Sequence, residues 1–291
     1  MKRKHLTGYA FISPWLIGFL VFVLGPFLVS VYLSFTRYEV ITPPVWVGTA
    51  NYKQLLAHDP LFWQSLWVTL KYALVAVPVG IVAGVGLALL LNLRVRGISV
   101  YRTIFYLPAI VPIVATTVIF MWLLNPQHGL VNQILRLFGV QGPNWLDDTT
   151  WTFWSLVTMS LWAVGGSMII YLPGLKDIPV TLYEAATIDG AGTWARTRHI
   201  TLPMLTPVIF FNLVMGVIRA FQYFAQAYII SRGLGGPEDT THFFALYLFN
   251  RAWRYLDMGY ASAMAWILFL IITVLTVVIF RTHKRWVHYG G

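Results

Sequence analysis

TLYEAATIDGAGTWARTRHITLPMLTP, residues 181–207, is a polar stretch set between two apolar runs, each long enough to cross a bilayer. Whatever it does is therefore done at a membrane face. Its pattern predicts two short helices joined by a turn. Thr181 and Glu184 have the spacing of a capping box, in which the hydroxyl accepts a first-turn N–H and the carboxylate reaches back to the cap. Ala185 and Ala186 continue the helix, Gly190 and Gly192 can end it with left-handed backbone, and Thr193 can cap the next one. Pro203 and Pro207 are then expected to stop or kink the chain where it re-enters lipid.

Composition agrees with a membrane setting. The 291 residues are 58% hydrophobic and only 10% charged, with a mean hydropathy of +0.70. A water-facing surface needs a larger charged fraction. The formal net charge of +10 does not point to nucleic acid, because the basic residues flank apolar segments and form no single stripe. The absence of cysteine excludes disulfides, iron–sulfur clusters and thiolate zinc sites.

Hydropathy predicts an all-α integral membrane protein with six spans, at about 9–35, 67–91, 104–124, 153–172, 206–230 and 259–280, forming one transmembrane domain over 1–291. The first follows Lys2, Arg3 and Lys4 but is too long, and lacks a small-residue cleavage site, to be a secretory signal. One set of span ends carries twelve Lys and Arg, including Arg94, Arg96, Arg102, Lys176, Arg281, Lys284 and Arg285, and the other set carries six. By the positive-inside rule both termini and the 174–206 loop are cytoplasmic. On the outer side, His242 to Asp257 is expected to be an interfacial, re-entrant or surface helix, rich in Phe, Tyr and Trp.

All ten acidic residues fall outside the six spans, and so does every histidine. A proton relay within the membrane is thereby lacking, and no G-x-x-x-x-G-K-[ST] occurs to cradle ATP. The fifth span departs from apolarity. Asn212, Arg219, Gln222 and Gln226 share one face of a continuous helix, and a mid-span charge that costs roughly 2.5 to 3.5 kcal/mol should not face lipid. This face reads as a wall of a translocation path for a hydroxyl-rich solute, or as interhelical hydrogen bonding at a subunit interface.

The spacing Glu184-Ala185-Ala186, three residues, Gly190, nine residues, then Ile200-x-Leu202-Pro203 resembles the EAA motif of permease subunits in binding-protein-dependent ABC importers. The likeness runs from Phe11-Ile12-Ser13-Pro14 to the sixth span. Phe221-Gln222 with Phe224, Tyr228, Gly235-Gly236-Pro237 and Tyr255 to Ala263 look like the carbohydrate-importing branch, while Thr197 and Ala225 depart from that branch's usual residues. The resemblance implies a type I ABC importer permease fold in a bacterial or archaeal cytoplasmic membrane. It implies that Glu184, Ala185, Ala186, Asp189, Gly190, Ile200, Leu202 and Pro203 form a loop that couples to two ABC ATPase subunits. It further implies a second, different permease subunit, an extracytoplasmic solute-binding protein, and ATP bound on the partners with no cofactor on this chain. A glycerol phosphate importer shares this layout. From other classes, a secondary transporter would need a titratable relay in the membrane, and a membrane enzyme a cluster of carboxylates; Asp177, Glu184 and Asp189 are the nearest to one.

Overall fold

Backbone N–H and C=O groups in a bilayer have no water to bond, so apolar runs of this length fold as helices. The computed structural model describes residues 2–93 and 95–288, with side chains from Phe11 onward. Arg94 and the side chains of Lys2, Arg3 and Lys4, which entered the charge count, lie outside the described residues.

The first span combines α1 (Lys2–Phe19), a π-turn (Leu20–Leu24) and α2 (Gly25–Ser34). A short ladder of β1 (Thr36–Arg37) and β2 (Val45–Trp46) precedes α3 (Ala50–His58), and α4 (Pro60–Leu91) is a continuous second span. The third and fourth spans are bent pairs. Helices α5 (Ile98–Ile110) and α6 (Ile113–Leu123) meet at 96°, with a further helix α7 (Leu130–Leu137) beyond them, and α8 (Trp151–Trp162) and α9 (Gly165–Lys176) meet at 49°. The loop region holds α10 (Val180–Ile188) and α11 (Thr193–Arg196), then a π-turn (Thr197–Thr201) leads into α12 (Leu202–Phe221) and α13 (Ala225–Ser231). Helix α14 (Phe244–Phe249) with its π-turn (Asn250–Arg254) precedes α15 (Met258–Thr282). Among the described residues, four stretches are long and apolar enough to cross a membrane, and six if each bent pair counts as one span, as hydropathy predicts.

The third span corrects the expectation of one straight helix over 104–124. Val111, which precedes Pro112, is extended at φ −66°, ψ 131°. Ring atoms of a proline disfavour helical backbone in the preceding residue, and here the helix breaks. Elsewhere proline is absorbed. Pro26 and Pro203 each follow a π-turn, in which the residue before the proline bonds a carbonyl five residues back: Gly25 N–H to Leu20 and Leu202 N–H to Thr197. The wider turn accommodates the carbonyl that a proline four residues later would otherwise strike.

By contacts, the chain gathers into two units, Met1–Trp63 with Tyr247–Leu270, and Gln64–Leu246 with Ile271–Gly291. In the first, Trp266 Nε1–H donates to Ser30 Oγ at 3.2 Å and its ring meets Phe27 edge-on at 4.7 Å, joining α2 to α15. Asn51 Nδ2–H donates to the Ser34 and Thr36 carbonyls, fastening α3 under the end of α2.

The second unit holds a core of Val85, Ala88 and Leu91 from α4, Met168, Tyr171, Leu172 and Leu175 from α9, Ile178, and Leu205 from α12. Helices α4 and α9 pack closely here because Gly84 has no side chain: a Cβ there would collide with the Ser167 hydroxyl and the Tyr171 ring. Tyr183, Ile200 and Leu202 of the polar 181–207 stretch pack against this core.

Candidate coupling loop and translocation face

Helix α10 starts differently from the expectation. Pro179 occupies the capping position at φ −58°, already suited to a helix start, and Val180 is the first helical residue. Thr181 therefore lies inside the first turn, no side chain caps α10, and the Thr181–Glu184 capping box is not formed. Gly192 likewise precedes α11 in extended backbone at φ −69°, ψ 170°, so it supplies no left-handed turn, and Thr193 is a helical residue instead of a cap.

Gly190 does end α10 in left-handed backbone, at φ +75°. Its N–H bonds the Thr187 carbonyl at 3.1 Å and the Ala191 N–H bonds the Ala186 carbonyl at 2.8 Å. This is a Schellman closure, which satisfies the last carbonyls of the helix and turns the chain sharply.

Two bonds then brace α10 against the helical entry to the next span. The Tyr183 and Thr201 hydroxyls lie 2.9 Å apart, and Arg196 Nη1–H donates to Thr187 Oγ1 at 3.1 Å. Ile200, Leu202 and Tyr183 pack against the core cluster described above. The motif accordingly divides into two kinds of residue. Ile200, Leu202 and Pro203 are half-buried and anchor the loop, whereas Glu184, Ala185, Asp189 and Gly190 are exposed, with Ala186 half-buried between them. Beside these, Ile188 is 87% and Trp194 73% exposed, so carboxylates and large apolar side chains share one surface. Neither Glu184 nor Asp189 forms an ion pair among the described residues. Tyr183, Thr187, Arg196 and Thr201 were not anticipated as site residues; the four-residue step from Tyr183 to Thr187 is the signal the sequence offered.

The four polar residues of the fifth span do not lie on one helix. Helix α12 ends at Phe221 and α13 begins at Ala225, with Gln222, Tyr223 and Phe224 outside helical structure between them. Asn212 and Arg219, seven residues apart on α12, do share a face. Gln226 belongs to α13, so a helical register from Gln222 does not reach it. The break has a packing cause. Tyr223 turns inward, its ring 4.6 Å from that of Tyr72 and 4.8 Å from that of Phe243, and only 9% of it remains exposed. Arg219 and Gln222 are exposed, Gln226 is half-buried, and the Asn212 amide donates to the Val208 carbonyl of its own helix at 2.9 Å.

A further polar centre, within the first unit, escaped the sequence reading. Asp59 is buried and accepts hydroxyl hydrogen bonds at Oδ2 from Tyr247, at 2.5 Å, and from Tyr260. Its Oδ1 accepts the Phe62 N–H at 3.1 Å, at the start of α4. Arg251 donates to the Tyr247 oxygen through Nη2 at 2.8 Å and lies over the Tyr260 ring at 4.8 Å. Burial, and then the hydrogen bond to Asp59, push the Tyr247 hydroxyl up to about 12, so it keeps its proton and donates.

Known proteins share the sequence and the fold of this chain. Residues 76–287 match the family described as the binding-protein-dependent transport system inner membrane component. The chain belongs to that family. Among its relatives is the probable ABC transporter permease protein YesP of Bacillus subtilis (strain 168), 46% identical, with 99% of this chain and 94% of that one covered. The lactose transport system permease protein LacF of Rhizobium radiobacter is 33% identical, with 98% and 97% covered. A chain of the bacterial alginate ABC transporter, crystallised in complex with an alginate pentasaccharide-bound periplasmic protein, has the same fold, with a TM-score of 0.83 at 23% identity over 98% of this chain and 96% of that one. As a member of the family, this chain is a multi-pass membrane permease of the ABC importer type, with the type I importer fold.

Proposed function

We propose that this chain is the permease subunit of an ATP-driven importer for a saccharide, and that α10 carries the force of ATP hydrolysis into the membrane. The observation that carries this reading is the division of the loop: Glu184 and Ala185 exposed on a short helix and Asp189 and Gly190 exposed at its end, with Ile200 and Leu202 packed against the core. Both termini and this loop face the cytoplasm, and the protein resides in the cytoplasmic membrane of a bacterium or archaeon. A cleft on each of two ABC ATPase subunits receives the coupling helix of its permease. ATP is bound there, and this chain binds no cofactor of its own. An extracytoplasmic binding protein delivers the solute, and a second, different permease completes the path. Asn212, Arg219, Gln222 and Gln226 contribute to the solute path, where amides can both donate to and accept from sugar hydroxyls. A saccharide is favoured by the lactose system of a relative alike over nearly its whole length. The exposed guanidinium of Arg219 favours a second reading, an anionic solute such as glycerol phosphate.

Affinity purification of the chain from its own host in mild detergent, followed by mass spectrometry, tests the proposal. A P-loop ATPase and a second permease should co-purify, and both replacements Glu184→Ala and Gly190→Leu together should release the ATPase. Recovery of the chain alone, or of partners indifferent to that double replacement, would overturn it.

A further inference from the structure

A cleft of about 520 Å³ opens between the start of α12 and the residues that follow α15. Its lining has two chemistries. Leu202, Ile209 and Trp286 give it an apolar wall, and Arg198 and Arg285 bring two guanidinium groups to it. Both arginines are exposed, and neither forms an ion pair with a carboxylate among the described residues. Arg281 and Lys284, on the turn before Arg285, are exposed as well and add to the positive field. The chain holds this cleft in shape through its own contacts. The His288 N–H donates to Thr206 Oγ1 at 2.8 Å, and the Trp286 ring packs 6.0 Å from Phe210.

Unneutralised guanidinium groups beside an apolar wall fit a molecule that is anionic at one end and hydrocarbon at the other. Guanidinium pairs well with phosphate oxygens in particular. The two elements that form the cleft are each apolar enough to cross a bilayer, so the surroundings of the cleft supply such a molecule. We propose that this cleft binds an anionic phospholipid, its phosphate held by Arg198 and Arg285 and its acyl chains lying along Leu202, Ile209 and Trp286. The occupant links the entry to α12, next to the coupling loop, with the residues after α15.

The full chain in mild detergent, titrated with phosphatidylglycerol or phosphatidylcholine and read by native mass spectrometry, tests this without solute, ATP or ATPase. Its failure therefore leaves the proposed function standing. The chain should retain phosphatidylglycerol in preference to phosphatidylcholine. R198Q/R285Q should weaken retention about thirty-fold, the loss expected for two basic residues at an anionic surface. R254Q, an exposed arginine outside the cleft, should change nothing. Equal retention of the two lipids by the unaltered chain would overturn the proposal whatever the variants do. Equal loss in R254Q would overturn it too, as would displacement of the lipid by inorganic phosphate, which marks a free-anion site. If R198Q/R285Q keeps its phosphatidylglycerol, the two arginines do not hold the lipid and the site is refuted.

Discussion

Asp59 shows how much a single side chain can hold in place. Its carboxylate receives Tyr247, Tyr260 and the Phe62 N–H, and so ties the start of α4 to α14 and to α15. Asp59→Ala leaves two phenolic hydroxyls and one backbone N–H without an acceptor, and should cost about 2–4 kcal/mol in denaturant unfolding of the detergent-solubilised chain. Asp59→Asn keeps an acceptor oxygen and should cost less; equal losses would show that the site is held by packing alone. Asp257 behaves in the opposite sense. Its carboxyl is raised above the ordinary value of 3.8, chiefly by burial, so the folded state disfavours its charge. A raised acid destabilises the fold where it is ionised and ceases to do so once protonated in both states. Asp257→Asn should therefore raise the melting temperature at pH 7, with the gain vanishing below about pH 4, the ordinary range of an aspartate. None of this network was legible beforehand, because Asp59 and Tyr247 are 188 residues apart and only the Tyr247–Arg251 step has helical spacing.

At the scale of elements, proline and glycine carried most of the legible information, and their effect depended on what lay around them. Pro112 breaks a span, whereas Pro26 and Pro203 are absorbed by π-turns, a difference that sequence pattern does not register. The left-handed end of α10 at Gly190 was legible, because glycine alone adopts that backbone freely. The expected caps at Thr181 and Thr193 were not formed, because Pro179 and Gly192 start their helices earlier. Gly190→Leu forces a branched side chain into left-handed backbone at roughly 1–2 kcal/mol. It should abolish solute uptake in cells while membrane levels of the chain stay normal; unaltered uptake would remove α10 from the coupling route. Tyr183→Phe deletes the hydroxyl that meets Thr201, worth about 0.5–1.5 kcal/mol. In the reconstituted importer it should lower solute-stimulated ATP hydrolysis more than basal hydrolysis, the signature of a loosened brace.

Over the whole molecule, six spans were legible from hydropathy because desolvation of the backbone leaves so few alternatives. The polar face of the fifth span was less so: its break at Gln222–Phe224 arises from Tyr223 packing between Tyr72 and Phe243, a tertiary contact with no local signature. The purified chain alone in liposomes should neither hydrolyse ATP nor accumulate solute under an ion gradient; gradient-driven uptake without ATP would identify a secondary transporter. The 96° bend of the third span bears also on how the chain crosses the bilayer. Its arms have 13 and 11 residues, or roughly 20 and 17 Å of helix, against about 30 Å of hydrocarbon. Neither arm alone is long enough to span that thickness, so the third span crosses it only as a bent pair. Helix α9 packs against α5, with Gly165 set against the Phe105 carbonyl, so a chain cut before α9 should lack the surface that covers this arm, and protease access to it in membranes should rise.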